Sequence, residues 1–251
     1  MPDSSRFSLS GKIALVTGGA RGIGAGIARL LAAAGARVVV ADIELAQAQA
    51  QAATLPGGGA VRIDVADEDS VVQGCAAVAS RFGVPWLLVN NAALLDRELL
   101  LEGTSAQWDR TFAVNARGPY LMSREIARAM VARGQGGRIV NIASASIHGA
   151  ITHGHAAYAS AKAALLGLTR ASALELAAHE ITVNLVLPGG VATPGAMNAK
   201  GPAPEGPARR KPPLGMCEPE DIGHAVLFFA TPGAARITNQ EVAVDGGWGV
   251  T

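Results

Sequence analysis

Tyr158 and Lys162 carry the side chains best suited to moving a proton. They are four positions apart in the run Tyr-Ala-Ser-Ala-Lys, and residues at this spacing share one face of a helix. A phenol with its ordinary pKa of about 10 is a poor acid–base catalyst at neutral pH. A positive charge about 4 Å away, at an effective dielectric of about 20, stabilises the phenolate by roughly 4 kcal/mol, or about three pKa units. The pair therefore predicts a tyrosine that exchanges protons near pH 7, although a solvated helix face can carry the same pair by chance.

A glycine-rich turn near the N-terminus predicts a dinucleotide site. An apolar run of strand length, 12–17, precedes the turn, and an alanine- and leucine-rich segment follows it. Glycine permits positive φ and lets the main chain approach a pyrophosphate, which then lies at the N-terminus of the following helix. Plain packing of a helix on a sheet is the alternative. The turn residues predicted to bind the cofactor are Gly18, Arg21, Gly22, Ile23 and Gly24.

Asp42 ends the second apolar run, 18 residues after Gly24. A carboxylate at this position accepts hydrogen bonds from both ribose hydroxyls of an adenosine. It would also repel the 2′-phosphate of NADP, so the sequence favours NAD over NADP. Arg21 and Arg37 leave NADP possible as the cofactor, because either guanidinium could lie near that phosphate.

The motifs together resemble the short-chain dehydrogenase/reductase family over residues 9–251. They are the spacing G-x-x-x-G-x-G, Asn90-Asn91-Ala92-Ala93, Asn115, Ser144, Tyr158-x-x-x-Lys162 and Pro188-Gly189. The resemblance implies a single doubly wound α/β domain of Rossmann type, with about seven parallel strands and helices on both faces, that binds NAD(P) and interconverts alcohols and carbonyls. Family members usually carry glycine where Ala93 stands, a difference that affects backbone geometry alone.

The resemblance also implies roles for residues that follow the strands. Lys162 would bond the nicotinamide ribose as well as act on Tyr158, and Asn115 would hold a helix distortion and a water that links Lys162 to solvent. The remaining cofactor contacts that it implies are Asp64 and Val65 beside the adenine, Asn91 and Ala92 behind the adenosine ribose, and Pro188, Gly189, Val191 and Thr193 toward the nicotinamide.

The expected chemistry is the oxidation of an alcohol or its reverse. As a hydride leaves the carbon, a base must lie within about 3 Å of the hydroxyl to take its proton, and a donor must fix the oxygen. Tyr158 is the predicted base and Ser144 the predicted donor; a turn or helix cap is the alternative role of Ser144, and the spacing from Ser144 to Tyr158 favours the donor. Two other functions stay open: an NADPH-dependent 3-oxoacyl thioester reductase, and a non-catalytic nucleotide-binding regulator.

The substrate is predicted to be a moderately apolar, uncharged secondary alcohol or ketone, and the sequence does not distinguish a polyol, a terpene alcohol or a hydroxy ester. Residues 194–213 contain six prolines and three glycines, which excludes a core helix and predicts a mobile loop over the site. The pocket is expected to include Leu94 and the 145–155 segment as well. The substrate contacts predicted by residue are Ser144, Ser146, Leu95, His153, Tyr158 and Gly190.

Seven apolar runs of strand length alternate with helix-length segments along the chain. This alternation predicts a parallel sheet covered on both faces and one domain over residues 1–251. The runs are 12–17, 38–41, 60–63, 86–90, 137–142, 182–187 and 240–244.

Composition limits the classes of binding partner and the location that we expect for the protein. The net charge of +1 gives no basic field for nucleic acid, and the apolar runs are too short for a membrane span or signal peptide, so we expect a cytoplasmic protein. Cys75 and Cys217 lack metal-ligand spacing, and no metal is expected at the histidines of residues 148–155. Apolar residues on a helix over 156–176 predict a contact between subunits, and the family resemblance implies that this helix pairs with the segment 108–131 across a two-fold axis, commonly in a homotetramer.

Overall fold

Seven strands form one parallel sheet in the order β3-β2-β1-β4-β5-β6-β7 in the computed structural model, which describes residues 8–250. Every predicted strand is present, with each end within one residue of its expected position. The doubly wound α/β fold is therefore confirmed. The strands are β1 Ile13–Thr17, β2 Arg37–Asp42, β3 Gly59–Arg62, β4 Leu87–Asn90, β5 Gly137–Ile142, β6 Ile181–Pro188 and β7 Glu241–Val244.

Helices cover both faces of the sheet because successive strand residues point to opposite sides. In β1, Val16 packs with Ile27 of α1 and Phe229 of α8 on one face. Its neighbour Leu15 packs with Val71 of α3 and Ile126 of α5 on the other face. The helices are α1 Gly22–Ala33, α2 Leu45–Ala53, α3 Glu68–Phe82, α4 Ser105–Phe112, α5 Gly118–Arg133, α6 Ala156–Leu176, α7 Pro194–Met197 and α8 Pro219–Ala230.

A buried polar network fixes α6 against the centre of the sheet. The amide of Asn90 donates to Asn141 Oδ1 (2.8 Å) and to Ser123 Oγ (2.9 Å). Asn141 in turn donates to Thr169 Oγ1 on α6 (2.8 Å). Buried polar groups that satisfy each other specify one arrangement of the packed elements, so this network helps to set the position of the helix that carries Tyr158 and Lys162.

The segment 194–213 contains no core helix, as predicted. It forms the four-residue α7 and a 3₁₀ turn, Pro207–Arg209, with mostly exposed residues between them. Two neighbouring loops hold it through main-chain bonds from Arg97 N to Lys200 O (2.8 Å) and from His153 N to Glu205 O (2.8 Å). The segment therefore lies across the cleft, and its predicted mobility stays a prediction.

The apolar surface predicted on α6 is partly covered within the chain. Ala161 and Leu165 are fully buried, whereas Ala164 is exposed and Leu168 is half-buried. Ala161 and Leu165 are therefore not available to a second subunit. Among the described residues, none of the helices is long and apolar enough to cross a membrane.

Candidate active site

A cleft of about 570 Å³ opens beyond the carboxyl ends of the strands, where ligands bind in open parallel sheets. Gly24 and Asn115 are buried beside it rather than in its wall. The predicted residues that line the cleft are Gly18, Arg21, Gly22, Ile23, Asp42, Asp64, Val65, Asn91, Ala92, Leu95, Ser144, Ser146, Tyr158, Lys162, Pro188, Gly189, Gly190, Val191 and Thr193.

The glycine turn leaves no room for side chains. A Cβ on Gly24 would lie 2.2 Å from the carbonyl oxygen of Gly18, and one on Gly18 would lie 2.8 Å from Ala92 Cα. Gly18 and Gly22 also have positive φ, 58° and 55°, which glycine adopts without strain. The main chain is thus bare where the turn enters α1.

Asn91 and Thr17 hold this turn in place. The Asn91 amide donates to the carbonyl oxygens of Thr17 (2.9 Å) and Gly18 (3.1 Å). Thr17 Oγ1 accepts from the main-chain N–H groups of Asn91 (3.0 Å) and Ala92 (3.1 Å). Asn91 therefore braces the glycine turn in addition to lining the cleft, a role that the sequence did not predict.

The start of α1 suits a negatively charged group. Its N-cap residue, Arg21, makes no side-chain capping bond, and the first turn contains no acidic residue. Uncapped N–H groups and the positive end of the helix dipole favour a phosphate at this point. Together with the bare glycine turn, they fit the pyrophosphate of a dinucleotide.

Asp42 is fixed at the other side of the turn. Its two carboxylate oxygens accept hydrogen bonds from the N–H groups of Ala20 (3.2 Å) and Glu44 (3.1 Å). Arg37 lies at the opposite end of β2, where its guanidinium donates to the carbonyl of Gly57 (3.0 Å) and contacts the ring of Phe82. Arg37 therefore faces away from the cleft, whereas Arg21 lines it.

Ser144, Tyr158 and Lys162 come together in the cleft. Ser144 follows β5, accepts a bond from Ser146 N (3.2 Å), and lies close enough to the phenol of Tyr158 to act on its pKa. The turn cap considered for Ser144 is therefore present, and its role as the donor that fixes the substrate oxygen stays a prediction. Lys162 is buried, and its ammonium donates to the carbonyl of Ile142 at the end of β5 (2.8 Å).

Burial dominates the electrostatics of this pair. Burial raises the pKa of Tyr158 above 10.0, while the neighbouring Ser144 side chain acts in the opposite direction. It also lowers the pKa of Lys162 from 10.5 to about 7. The prediction that Lys162 lowers the pKa of Tyr158 to neutrality is wrong for this arrangement, because desolvation of the buried phenol raises its pKa.

Asn115 lies in a π-helical turn, Ala113–Arg117, between α4 and α5. It is fully buried, accepts a bond from Leu94 N (3.0 Å), and donates one to Leu94 O (2.9 Å). The helix distortion expected at Asn115 is present. These two bonds fix the chain just beyond β4, where Leu94 and Leu95 enter the wall of the cleft.

The substrate end of the cleft contains a different histidine from the one predicted. His153 is exposed and lies 3.8 Å from Glu205, outside the cleft lining. His155 lines the cleft instead, with its ring centroid 4.9 Å from that of Tyr158. No sequence signal distinguishes these two histidines, because both precede α6 in the same loop. Among the described residues no cluster of three potential metal ligands occurs.

Comparison with known proteins agrees with this site. A family model described as enoyl-(acyl carrier protein) reductase matches residues 18–249. The chain is 40% identical to a sorbitol dehydrogenase of Cereibacter sphaeroides over 95% of its own length and 98% of the relative. It is 37% identical to a galactitol 2-dehydrogenase of Agrobacterium fabrum, with the same coverage.

A solved structure named as a short-chain type dehydrogenase/reductase, from Mycobacterium marinum, superposes with a TM-score of 0.88. It shares 34% sequence identity and covers 97% of this chain and 98% of its own. The predicted oxidoreductase is confirmed by these matches. The chain therefore belongs to the short-chain dehydrogenase/reductase family.

Proposed function

We propose that the protein interconverts a secondary alcohol and a ketone, with Tyr158 as the acid and base and NAD as the preferred cofactor. The observation that carries this proposal is the convergence of Ser144, Tyr158 and Lys162 in the cleft whose other end is formed by the glycine turn and Asp42. A proton-transfer centre beside a dinucleotide cradle is what hydride chemistry on an alcohol requires.

The nicotinamide, when bound, supplies or accepts the hydride. The protein must handle the proton, and the raised pKa of Tyr158 means that the phenol is protonated at neutral pH. Tyr158 Oη therefore donates a proton to the carbonyl oxygen during reduction and takes it back from the carbinol during oxidation. Ser144 Oγ, next to the phenol, holds the same oxygen so that the transfer distance stays short.

Lys162 makes the oxidising direction feasible. Its ammonium form would stabilise the phenolate, and its bond to the Ile142 carbonyl holds Nζ 5.9 Å from the centroid of the Tyr158 ring. Because oxidation needs a deprotonated phenol and reduction a protonated one, oxidation should accelerate as pH rises and reduction as pH falls. The pH profile of each direction therefore reports on Tyr158.

The preference for NAD rests on Asp42. Its carboxylate is held by two main-chain N–H groups at the edge of the cleft, so it cannot move away without breaking them. A 2′-phosphate there would meet a fixed negative charge. Arg37, one of the two cations that kept NADP open, is bonded to Gly57 and faces elsewhere.

The names of the two curated relatives support a small, uncharged alcohol as the substrate, since sorbitol and galactitol are neutral polyhydric alcohols. The open alternative is an NADPH-dependent 3-oxoacyl thioester reductase, and Asp42 argues against its cofactor. We also propose a homotetramer, supported by exposed apolar side chains such as Trp108 on α4 and Leu174 on α6.

A panel of secondary alcohols tests the function. Purified protein is mixed with NAD or NADP, and the absorbance of the reduced nicotinamide is followed. We expect turnover with at least one neutral secondary alcohol and NAD. Reduction of an acetoacetyl thioester with NADPH, without any alcohol oxidation, would favour the thioester reductase, and inactivity toward both classes would contradict the proposal.

A further inference from the structure

Three buried polar atoms in the substrate end of the cleft have no hydrogen-bond partner among the described residues. They are Ser146 Oγ, Thr152 Oγ1 and His155 Nδ1, and all three residues line the cleft. Ser146 and Thr152 are only 7% and 8% exposed. Buried polar groups in proteins are almost always paired, and each unpaired one costs stability. Three such atoms in one cavity are available to hydrogen-bond a ligand that enters it.

The three residues flank the reacting groups. The main-chain N–H of Ser146 donates to Ser144 Oγ (3.2 Å). The imidazole of His155 lies against the ring of Tyr158, with their centroids 4.9 Å apart. The main-chain N–H of His155 also donates to the carbonyl oxygen of Thr152 (3.3 Å), which links these two residues. A ligand held at Ser144 and Tyr158 therefore shares this part of the cleft with the three polar side chains.

This end of the cleft suits uncharged groups. Burial, and secondarily the charge of Arg97, lower the pKa of His155 to about 4, so its imidazole is neutral at physiological pH. Arg97 carries a charge here, but its guanidinium donates to the carbonyls of Pro202 (2.8 Å) and Ala199 (3.3 Å). Neutral hydroxyls, which both donate and accept, match a serine, a threonine and a neutral histidine.

We propose that Ser146, Thr152 and His155 form a subsite that hydrogen-bonds the hydroxyls on carbons next to the reacting carbinol. The substrate is then a neutral polyol, or the corresponding hydroxyketone, rather than a simple secondary alcohol. This inference rests on the proposed function and adds the substrate class and the residues that select it. Among the uncharged alcohols that the sequence left open, it selects a polyol.

Thr152→Val tests the subsite, because valine keeps the shape of threonine and removes only the hydroxyl donor and acceptor. We expect kcat/KM for sorbitol or galactitol to fall about tenfold, the usual effect of losing one neutral hydrogen bond. For 2-butanol, which has no second hydroxyl, kcat/KM should change less than about twofold. The matched control is Thr182→Val on β6, whose hydroxyl is also buried and without a partner among the described residues but lies outside the cleft lining.

The outcomes separate the two proposals. Equal losses on the polyol and 2-butanol, or the same losses in Thr152→Val and Thr182→Val, would overturn the subsite. Wild-type protein that oxidises 2-butanol as efficiently as every polyol would overturn the subsite and leave the proposed function intact. Wild-type protein that oxidises neither would overturn both. If Thr152→Val does not fold, Ser146→Ala repeats the test with the same expected selectivity.

Discussion

Lys162 should lower the free energy of unfolding by an amount that depends on pH. It is a lysine that is only 2% exposed, and burial lowers its pKa from 10.5 to about 7. The test is Lys162→Met, which keeps a long flexible side chain and removes the titrating amine. The comparison is made by urea unfolding without nucleotide at pH 6 and pH 9.

The magnitude follows from the difference between the two pKa values. The two pKa values differ by about 3.5, which lowers the free energy of unfolding by about 5 kcal/mol below pH 7, where Lys162 is protonated in both the folded and the unfolded state. Between about pH 7 and 10.5 the folded lysine is neutral while the unfolded one still binds a proton, so the free energy of unfolding rises with pH. By pH 9 the penalty is about 2 kcal/mol. Wild type should therefore gain about 3 kcal/mol relative to Lys162→Met between pH 6 and 9.

The difference between the two pH values cancels the pH-independent loss of the bond to the Ile142 carbonyl. Protein concentration must be the same throughout, because assembly would shift the apparent stability. Lys200→Met, at an exposed position in the 194–213 segment, is the control and should show the same pH dependence as wild type. Parallel pH profiles for wild type and Lys162→Met would refute the argument.

Three further predictions concern the cofactor, the loop and assembly. The kcat/KM of wild type should be at least tenfold higher with NAD than with NADP, a difference of about 1.4 kcal/mol. Asp42→Asn should reduce this ratio of kcat/KM. An unchanged ratio would show that Asp42 does not select the cofactor. Trypsin should cut after Lys200, Arg209 and Arg210, faster in Arg97→Ala because the carbonyls of Ala199 and Pro202 lose their donor, and NAD with a substrate should slow the cutting. Equal cutting rates with and without ligand would exclude a gated lid. Light scattering should show a tetramer, and a monomer at every concentration would contradict that assembly.

The fold and the reacting residues could be predicted because each depends on local sequence. Strand-length apolar runs alternate with helical segments, and the fixed spacing from Tyr158 to Lys162 needs only one helix, α6, to bring the pair together. The glycine turn is equally local, since a Cβ on Gly24 would collide with Gly18 six residues earlier.

The substrate end could not be predicted because it depends on which way loop side chains turn. His153 and His155 are two residues apart, yet one faces Glu205 and the other faces Tyr158. Arg97 stands between Asp96 and Glu98 in the sequence, which suggests a solvated charged run, but it donates to a segment more than 100 residues later. The pKa of Tyr158 depends in the same way on burial, which spacing along a helix does not reveal.

The most direct test of the account is Tyr158→Phe. Phenylalanine keeps the ring that packs against His155 and removes the one atom assigned to carry the proton. Turnover of an alcohol that wild type oxidises should fall at least about a hundredfold, the usual size of a general acid–base contribution, while NADH binding, followed by its fluorescence, stays within about twofold of wild type. Retained turnover with intact NADH binding would show that another group moves the proton and would contradict the account.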